Sequence, residues 1–189
     1  MIILKGSQLG ASTYIESPLY WNCTKTIGVR AFILAHESES TNSLFTMAKR
    51  YYENTPMPMR PELQTSNAKE LVFSKLDSGY KIGTACNKEV GRSQTNQFFH
   101  GSEVAFWENP GELVKGVLQT VPAMKGTEVY YVSTANGMGN FFHEKCRNAM
   151  KGVGDFRFGF TPWYWQDEYN RDLPDDWKRT NQEQEKIGG

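Results

Sequence analysis

The stretch LKGSQLGAST, residues 4–13, decides which fold this sequence is expected to adopt. It extends a short apolar run into two glycines, a pattern typical of a buried strand that enters a turn before a helix. Its spacing approaches the phosphate-binding pattern G-x-x-x-x-G-K-[ST], in which the lysine contacts the β and γ phosphates and the hydroxyl contacts magnesium. Gly10 and Ser12 match that pattern, whereas Ala11 replaces the lysine and Lys5 stands where the first glycine belongs. Three interpretations remain open: a nucleotide site with its charge moved, an inactive site, or an ordinary turn.

Strand-like and helix-like segments alternate after this loop. Residues 29–37 form a continuous apolar run, as in strands that are buried on both faces of a parallel sheet. Residues 38–54 carry apolar side chains at helical spacing, and residues 70–85 indicate a hairpin around Asp77. The later strand-like runs lie within 96–107, 127–137 and 155–165, and the later helix-like segments at 111–120 and 140–150. This alternation predicts an α/β domain with a mostly parallel central sheet.

Prolines support two local expectations. Residues 11–21 are predicted as the first helix, which Pro18 should bend or end near its second turn. Residues 54–67 contain three prolines among polar residues and are predicted as a loop.

The composition narrows the class of protein. The chain has 189 residues, of which 39% are hydrophobic, and this favours one globular domain with a sizeable core. Basic and acidic residues number 21 each, so the net charge is zero and any nucleic-acid contact must come from a local patch. The three cysteines are widely spaced, which argues against a disulfide framework or a zinc site. No apolar run approaches the roughly 18 residues of a membrane span, so we expect a soluble intracellular domain.

Three turns are candidate ligand sites, because ligands bind beyond the carboxyl ends of the strands in such sheets. The first is the glycine-containing turn, where backbone N–H groups, a helix N-terminus and the hydroxyls of Ser12 or Thr13 favour an anion such as a phosphate chain. A plain structural turn fits the same residues. The third turn places Ser133, Thr134 and Asn136 after an apolar run, where they are suited either to sensing a γ-phosphate or to forming a turn.

The second turn supplies a carboxylate, Glu103, after the run that contains Phe98 and Phe99. Nucleotide hydrolases need an acidic residue at such a strand end to position magnesium or the attacking water. The apolar residues that follow should partly desolvate this carboxylate, which would suit a base near neutral pH. Ser102 precedes it, so the second acid of the common Asp-Glu pair is absent. A solvated glutamate at the edge of the sheet is the alternative.

Six segments together resemble the large terminase subunits of tailed bacteriophages. They are LKGSQLGAST, RAFILAHE, YKIGTA…GRS, FFHGSEVAFW, STANG and PWYWQDEY, in the same order, over residues 1 to about 173. Those proteins are ATP-driven motors that pump viral DNA into a procapsid. The resemblance implies a three-layer P-loop NTPase fold of the additional-strand type for residues 1–173. Residues 174–189 would be a polar tail or linker towards an absent nuclease domain.

The resemblance also implies roles for the loop and for the acidic turn. The nucleotide-binding loop would comprise Lys5, Gly6, Ser7, Gln8, Gly10, Ala11, Ser12 and Thr13. Lys5 would supply the displaced cation, and Ser12 the hydroxyl on magnesium. Glu103 would be the catalytic glutamate and a second magnesium contact.

Two further motifs are similar to terminase motifs. Ser133, Thr134 and Asn136 resemble the coupling motif that links hydrolysis to domain movement. Gly91 and Arg92 resemble a glycine-arginine motif, in which Arg92 would act as a catalytic arginine finger, worth roughly 10³ to 10⁵ in rate, or would contact DNA. A solvated loop arginine is the alternative.

The implied ligands and partners are ATP and Mg²⁺, double-stranded DNA, a portal protein and a small terminase subunit. A homo-oligomeric ring is expected for the full-length motor, in the cytoplasm of the bacterial host and without a membrane. A different hypothesis is favoured by Ser7, which stands where the family loop has an arginine, and by Ala11 and Ser102. The upstream adenine-gripping segment is also expected to be missing. The alternative is a truncated, weakly active or inactive prophage remnant that keeps the fold and binds DNA or a partner subunit. A helicase-like translocase is a weaker third hypothesis.

Some conspicuous residues are assigned no ligand. His36, His100 and His143 share no ligand spacing, which disfavours a metal site among them. The aromatic stretch at 161–169 has side chains that stack on bases in other proteins. At the end of a strand such residues more often belong to the core, so a core position is predicted for them.

Overall fold

The computed structural model of the protein describes residues 1–86, 94–169 and 172. Gly91 and Arg92, with the predicted arginine finger, lie outside the described residues, as does the predicted tail at 174–189.

In the described part of the chain, the strands form one eight-stranded sheet. They are β1 (Ile2–Lys5), β2 (Arg30–Ala35), β3 (Leu63–Ser66), β4 (Glu70–Phe73), β5 (Ser78–Thr84), β6 (Phe98–Ser102), β7 (Glu128–Ser133) and β8 (Phe158–Thr161). Their order across the sheet is β3-β4-β5-β2-β6-β7-β1-β8. The pairings from β5 to β8 are parallel, whereas β3–β4 and β4–β5 are antiparallel. The prediction of a mostly parallel sheet with a hairpin before β5 is therefore confirmed.

Helices cover both faces of this sheet and make a three-layer domain. They are α1 (Ala11–Lys25), α2 (Ser38–Asn54), α3 (Pro110–Leu118) and α4 (Phe141–Met150). Successive strand residues point to opposite faces: Ile33 packs with side chains of α1 and α2, whereas Phe32 and Leu34 pack with side chains of α3 and α4. The α/β class and the layered architecture are thus as predicted. None of the described helices is both long enough and apolar enough to cross a bilayer.

Helix α1 continues through Pro18 to Lys25, so of the two predicted effects of this proline, a bend or an end, the end of the helix does not occur. Pro18 lacks the N–H that would bond to the carbonyl of Tyr14, four residues earlier. Both residues are exposed, so solvent can replace this hydrogen bond. Ile15 and Leu19 are buried against the sheet and hold the helix across the interruption.

The segment predicted as a loop at 54–67 contains the edge strand β3. Its residues alternate between half-buried and exposed, and it pairs only with β4. A short edge strand buries little apolar surface, so its sequence has the polar character of a loop.

Below α1, three polar side chains form a cluster that is fully buried. Glu16 of α1, Tyr80 of β5 and His100 of β6 are each 0% exposed. The hydroxyl of Tyr80 donates to Oε2 of Glu16 at 2.6 Å, and Nδ1 of His100 lies 3.4 Å from Oε1 of Glu16. Burial, together with the neighbouring Glu16, raises the pKa of Tyr80 well above its usual value, so this phenol remains a donor. The cluster therefore ties α1 to two strands of the sheet.

We expect Tyr80→Phe to lower the free energy of unfolding by about 1.5–3 kcal/mol, because the buried Glu16 carboxyl group loses its short hydrogen bond. Urea unfolding followed by circular dichroism measures this change. Tyr164→Phe is the matched control, since Tyr164 is 55% exposed, and it should change stability by less than about 0.5 kcal/mol. Equal stability of the two variants would contradict the assigned hydrogen bond.

Candidate functional site

The ends of three neighbouring strands form the candidate site. Strands β6, β7 and β1 are adjacent in the sheet and parallel, so their carboxyl ends lie at one edge. Lys5 ends β1, Glu103 follows β6, and Ser133 ends β7. The sheet therefore brings together the three turns that the sequence singles out.

The turn between β1 and α1 contains two residues in the left-handed region. Gln8 has φ 52° and Gly10 has φ 69°, so the chain turns through the left-handed region before α1. Gly10 is the N-cap of α1, and no side chain caps this end of the helix. Uncapped N–H groups and the positive end of the helix dipole favour an anion at this position.

A partly buried ion pair joins the loop to the acidic turn. Nζ of Lys5 donates to Oε1 of Glu103 at 2.8 Å, and their side chains are 9% and 25% exposed. The two residues are 98 positions apart in the chain. Lys5 thus lies at the start of the turn between β1 and α1, and its ammonium group contacts a carboxylate.

The other oxygen of Glu103 is held by the turn after β7. The backbone N–H of Thr134 donates to Oε2 at 3.1 Å, and the hydroxyls of Thr134 and Ser133 each lie 3.2 Å from it. Glu103 itself has φ 54°, a left-handed conformation that is uncommon for glutamate. Strained backbone at a strand end is a frequent feature of functional sites.

The pKa of Glu103 differs from the prediction. Burial raises the pKa, as expected from the apolar surroundings, but the hydrogen bond and the charge of Lys5, together with the Thr134 donors, outweigh burial and lower it below the usual value. The carboxylate is therefore ionised at neutral pH, and the expectation of a base tuned near neutral pH is wrong. An ionised carboxylate is suited to orienting water or to contacting a cation.

Asn136 lies in the same turn but does not reach the carboxylate of Glu103. Its amide donates to the carbonyl of Ala105 at 3.1 Å, and so ties the turn after β7 to the turn after β6. Ser102 is buried, and its carbonyl accepts a hydrogen bond from the indole of Trp107 at 3.1 Å.

The remaining loop residues surround the start of α1. Ser12 and Thr13 lie in the first turn of this helix, where Ser12 is half-buried and Thr13 exposed. Ser7 and Gln8 are exposed at the tip of the loop. The N–H of Gly6 donates to the carbonyl of Thr161 at the end of β8, at 2.9 Å.

The aromatic stretch after β8 is exposed, so its predicted core position is wrong. Trp163, Tyr164 and Trp165 are 57%, 55% and 68% exposed. β8 is the edge strand opposite β3 in the described sheet, and the short 3-10 turn Trp163–Trp165 that follows it has no buried residues. An edge strand offers the following turn little to pack against, which explains the exposure.

The residues present fit a magnesium-bound nucleotide in chemical type. Magnesium usually binds through one or two carboxylates together with phosphate oxygens and water. Ser12 and Glu103 supply one hydroxyl and one carboxylate. No group of three or more His, Cys, Asp or Glu residues suitable for a metal occurs in the part of the chain that the structure describes.

Comparison with solved structures identifies this fold. The ATPase domain of the Thermus phage P74-26 large terminase matches over 92% of this chain and 83% of that domain, at 16% identity and a TM-score of 0.63. The bacteriophage HK97 large terminase matches over 94% of this chain, at 14% identity and a TM-score of 0.69. The large terminase of a thermophilic bacteriophage, in complex with ADP, matches over 85% of this chain, at 10% identity and a TM-score of 0.62.

This likeness establishes the fold, which is the P-loop NTPase fold of terminase ATPase domains. The fold that the sequence resemblance implies is therefore confirmed. The chain spans 36% of the HK97 protein and 39% of the ADP-bound terminase. No protein-family model matches the sequence, and no curated protein matches it.

Proposed function

We propose that this chain is the ATPase domain of a phage or prophage large terminase subunit, which hydrolyses ATP to drive the packaging of viral DNA. The observation that carries the proposal is the convergence of Lys5, Glu103 and Thr134 beside the glycine loop, on the fold of terminase ATPase domains. The ADP complex of the thermophilic phage terminase supports a nucleotide as a ligand of this fold.

The loop residues would bind the phosphates. Backbone N–H groups from Ser7 to Ala11 and the N-terminus of α1 suit an anion, because they present donors without a backbone partner and a positive dipole. The hydroxyl of Ser12 and the carboxylate of Glu103 would hold magnesium. The bound ion would supply charge neutralisation on the phosphates.

Lys5 and Glu103 would have separate roles in hydrolysis. The ammonium group of Lys5 would neutralise phosphate charge in place of the lysine that Ala11 replaces. The ionised carboxylate of Glu103 would accept a hydrogen bond from the attacking water and fix its position. Ser133 and Thr134 hydrogen-bond to this carboxylate, which supports their predicted role in coupling hydrolysis to movement. Arg92 remains a predicted finger.

The finer assignments of this function follow from the terminase resemblance. Residues 1–173 would be the ATPase domain and residues 174–189 a linker. Double-stranded DNA, a portal protein, a small terminase subunit and further copies in a ring would be the partners, in the cytoplasm of the bacterial host.

A second candidate is a catalytically inactive remnant that keeps the fold. Ala11, Ser7 and Ser102 each replace a charged residue that the family pattern carries. The ammonium group of Lys5 is also neutralised by Glu103 in this structure. Such a remnant would bind DNA or a partner subunit without turning over ATP.

Calorimetric titration of the wild-type chain with ATP, in magnesium and in EDTA, tests the proposal. We expect binding that requires magnesium, because the ion would neutralise the charge of the phosphates. Release of phosphate from ATP should accompany it. No detectable binding at millimolar ATP would contradict the proposal and favour the remnant.

A further inference from the structure

The aromatic segment, residues 162–169, exposes large apolar rings to solvent. Trp163, Tyr164 and Trp165 are all more than half exposed, and Tyr169 is 41% exposed. Leaving such rings in water costs free energy, because burial of apolar surface is favourable. A contiguous exposed aromatic surface therefore indicates a binding site more often than a surface without a ligand.

This segment is attached directly to the phosphate loop. A Cβ atom added to Gly6 would lie 2.8 Å from Cα of Trp163, so the two backbones are in contact and only glycine fits at this position. The hydroxyl of Tyr169 donates to the carbonyl of Ser7 at 3.2 Å. The segment therefore forms one wall of the loop.

The charge of this wall disfavours a nucleic-acid strand. Residues 158–169 contain Asp167 and Glu168, which are both exposed, and no lysine or arginine. Binding to a nucleic-acid backbone depends on basic side chains that neutralise its phosphates. A single nucleotide differs, because its phosphates would lie at the loop and only its uncharged base would meet the aromatic rings.

We propose that the aromatic segment is the stacking platform for the base of the nucleotide held at the loop. The proposal rests on the proposed function, since it takes the phosphates to lie at the loop. One ribose joins a base to its phosphates, so the base lies close to the loop, on whose side the aromatic segment stands. Trp163 is the principal platform residue, because it contacts Gly6 and keeps 57% of its surface exposed.

Stacking on aromatic rings is tolerant of base identity, because every base has a π-face. ATP and GTP should therefore bind with similar affinity.

The test compares magnesium-bound ATP with magnesium-bound inorganic triphosphate, which has the phosphates and lacks the base. Calorimetry on wild type and Trp163→Ala should give about 5- to 150-fold weaker ATP binding in the variant, the effect typical of one lost base stack. Triphosphate binding should stay unchanged. Trp163→Phe should retain most of the ATP affinity. Trp21→Ala is the matched control, since Trp21 is 52% exposed on α1 and is not part of the aromatic segment.

The outcomes separate failure of this inference from failure of the proposed function. If wild type binds both ligands and Trp163→Ala leaves ATP binding unchanged, the platform is overturned and the nucleotide site stands. Equal weakening of ATP and triphosphate would also overturn it, because Trp163 would then only support the loop. A single-stranded oligonucleotide is titrated in the same way. If Trp163→Ala loses oligonucleotide binding that the wild type shows, while its ATP binding is normal, the segment binds nucleic acid and the platform is overturned. If wild type binds neither ligand, the proposed function itself fails.

Discussion

Glu103→Gln is expected to reduce the rate of ATP hydrolysis about 10²- to 10⁴-fold while ATP binding is largely retained. The amide preserves the size of the side chain but removes the negative charge that Lys5 and the Thr134 donors hold in place. That charge is what would position the attacking water. Steady-state phosphate release at saturating ATP measures the effect, and calorimetry measures binding.

The matched control is Glu112→Gln, because Glu112 is an exposed carboxylate in the first turn of α3. It should leave both hydrolysis and binding unchanged. Thermal unfolding of the two variants shows whether each one is folded. A folded Glu103→Gln variant that hydrolyses ATP at the wild-type rate would contradict a catalytic role for Glu103.

Lys5→Ala is expected to weaken ATP binding about 10- to 150-fold, which corresponds to the loss of one charge-assisted contact of about 1.5–3 kcal/mol. The side chain of Lys5 is only 9% exposed, so its charge is weakly screened by solvent. Calorimetric titration with magnesium-bound ATP measures the change. Lys75→Ala is a suitable control, because Lys75 also pairs with a glutamate, Glu62 at 3.0 Å, but on the exposed surface.

The double variant Lys5→Ala/Glu103→Gln distinguishes two roles for Lys5. If Lys5 acts on the phosphates, ATP binding by the double variant should be about as weak as that of Lys5→Ala. If Lys5 only holds Glu103, the double variant should resemble Glu103→Gln, because the two substitutions are not additive when they remove one interaction. Unchanged ATP binding by Lys5→Ala would assign its ammonium group to the ion pair alone.

The position of the site was predictable because parallel strands place their carboxyl ends at one edge. The strand ends at Lys5, Ser102 and Ser133 could be identified from apolar runs that stop at small or polar residues. The sequence alone does not show that β1 lies beside β7 and one strand from β6. The resemblance to terminases supplied the expectation that these turns share one site.

The properties of individual side chains were harder to predict, since they depend on distant partners. The lowered pKa of Glu103 depends on Lys5, which is 98 residues away, so the local apolar sequence indicated the wrong direction. The exposure of Trp163 follows from the edge position of β8, which an aromatic-rich run does not reveal. A glutamate in a helix is normally expected at the surface, so the sequence predicts an exposed Glu16. The packing of α1 on the sheet buries Glu16 beside His100.

The turn between β1 and α1 is held from both sides, and this has a consequence for the entropy of binding. β1 is an interior strand, so the chain enters the loop from a segment paired with both β7 and β8. After β1, the N–H of Gly6 donates a hydrogen bond to the carbonyl of Thr161, and the carbonyl of Ser7 accepts one from the hydroxyl of Tyr169. A loop fixed in this way has lost much of its conformational freedom before any ligand arrives. An anion that binds there would therefore lose little ordering entropy, and its affinity would reflect contact energy more directly than in a mobile loop.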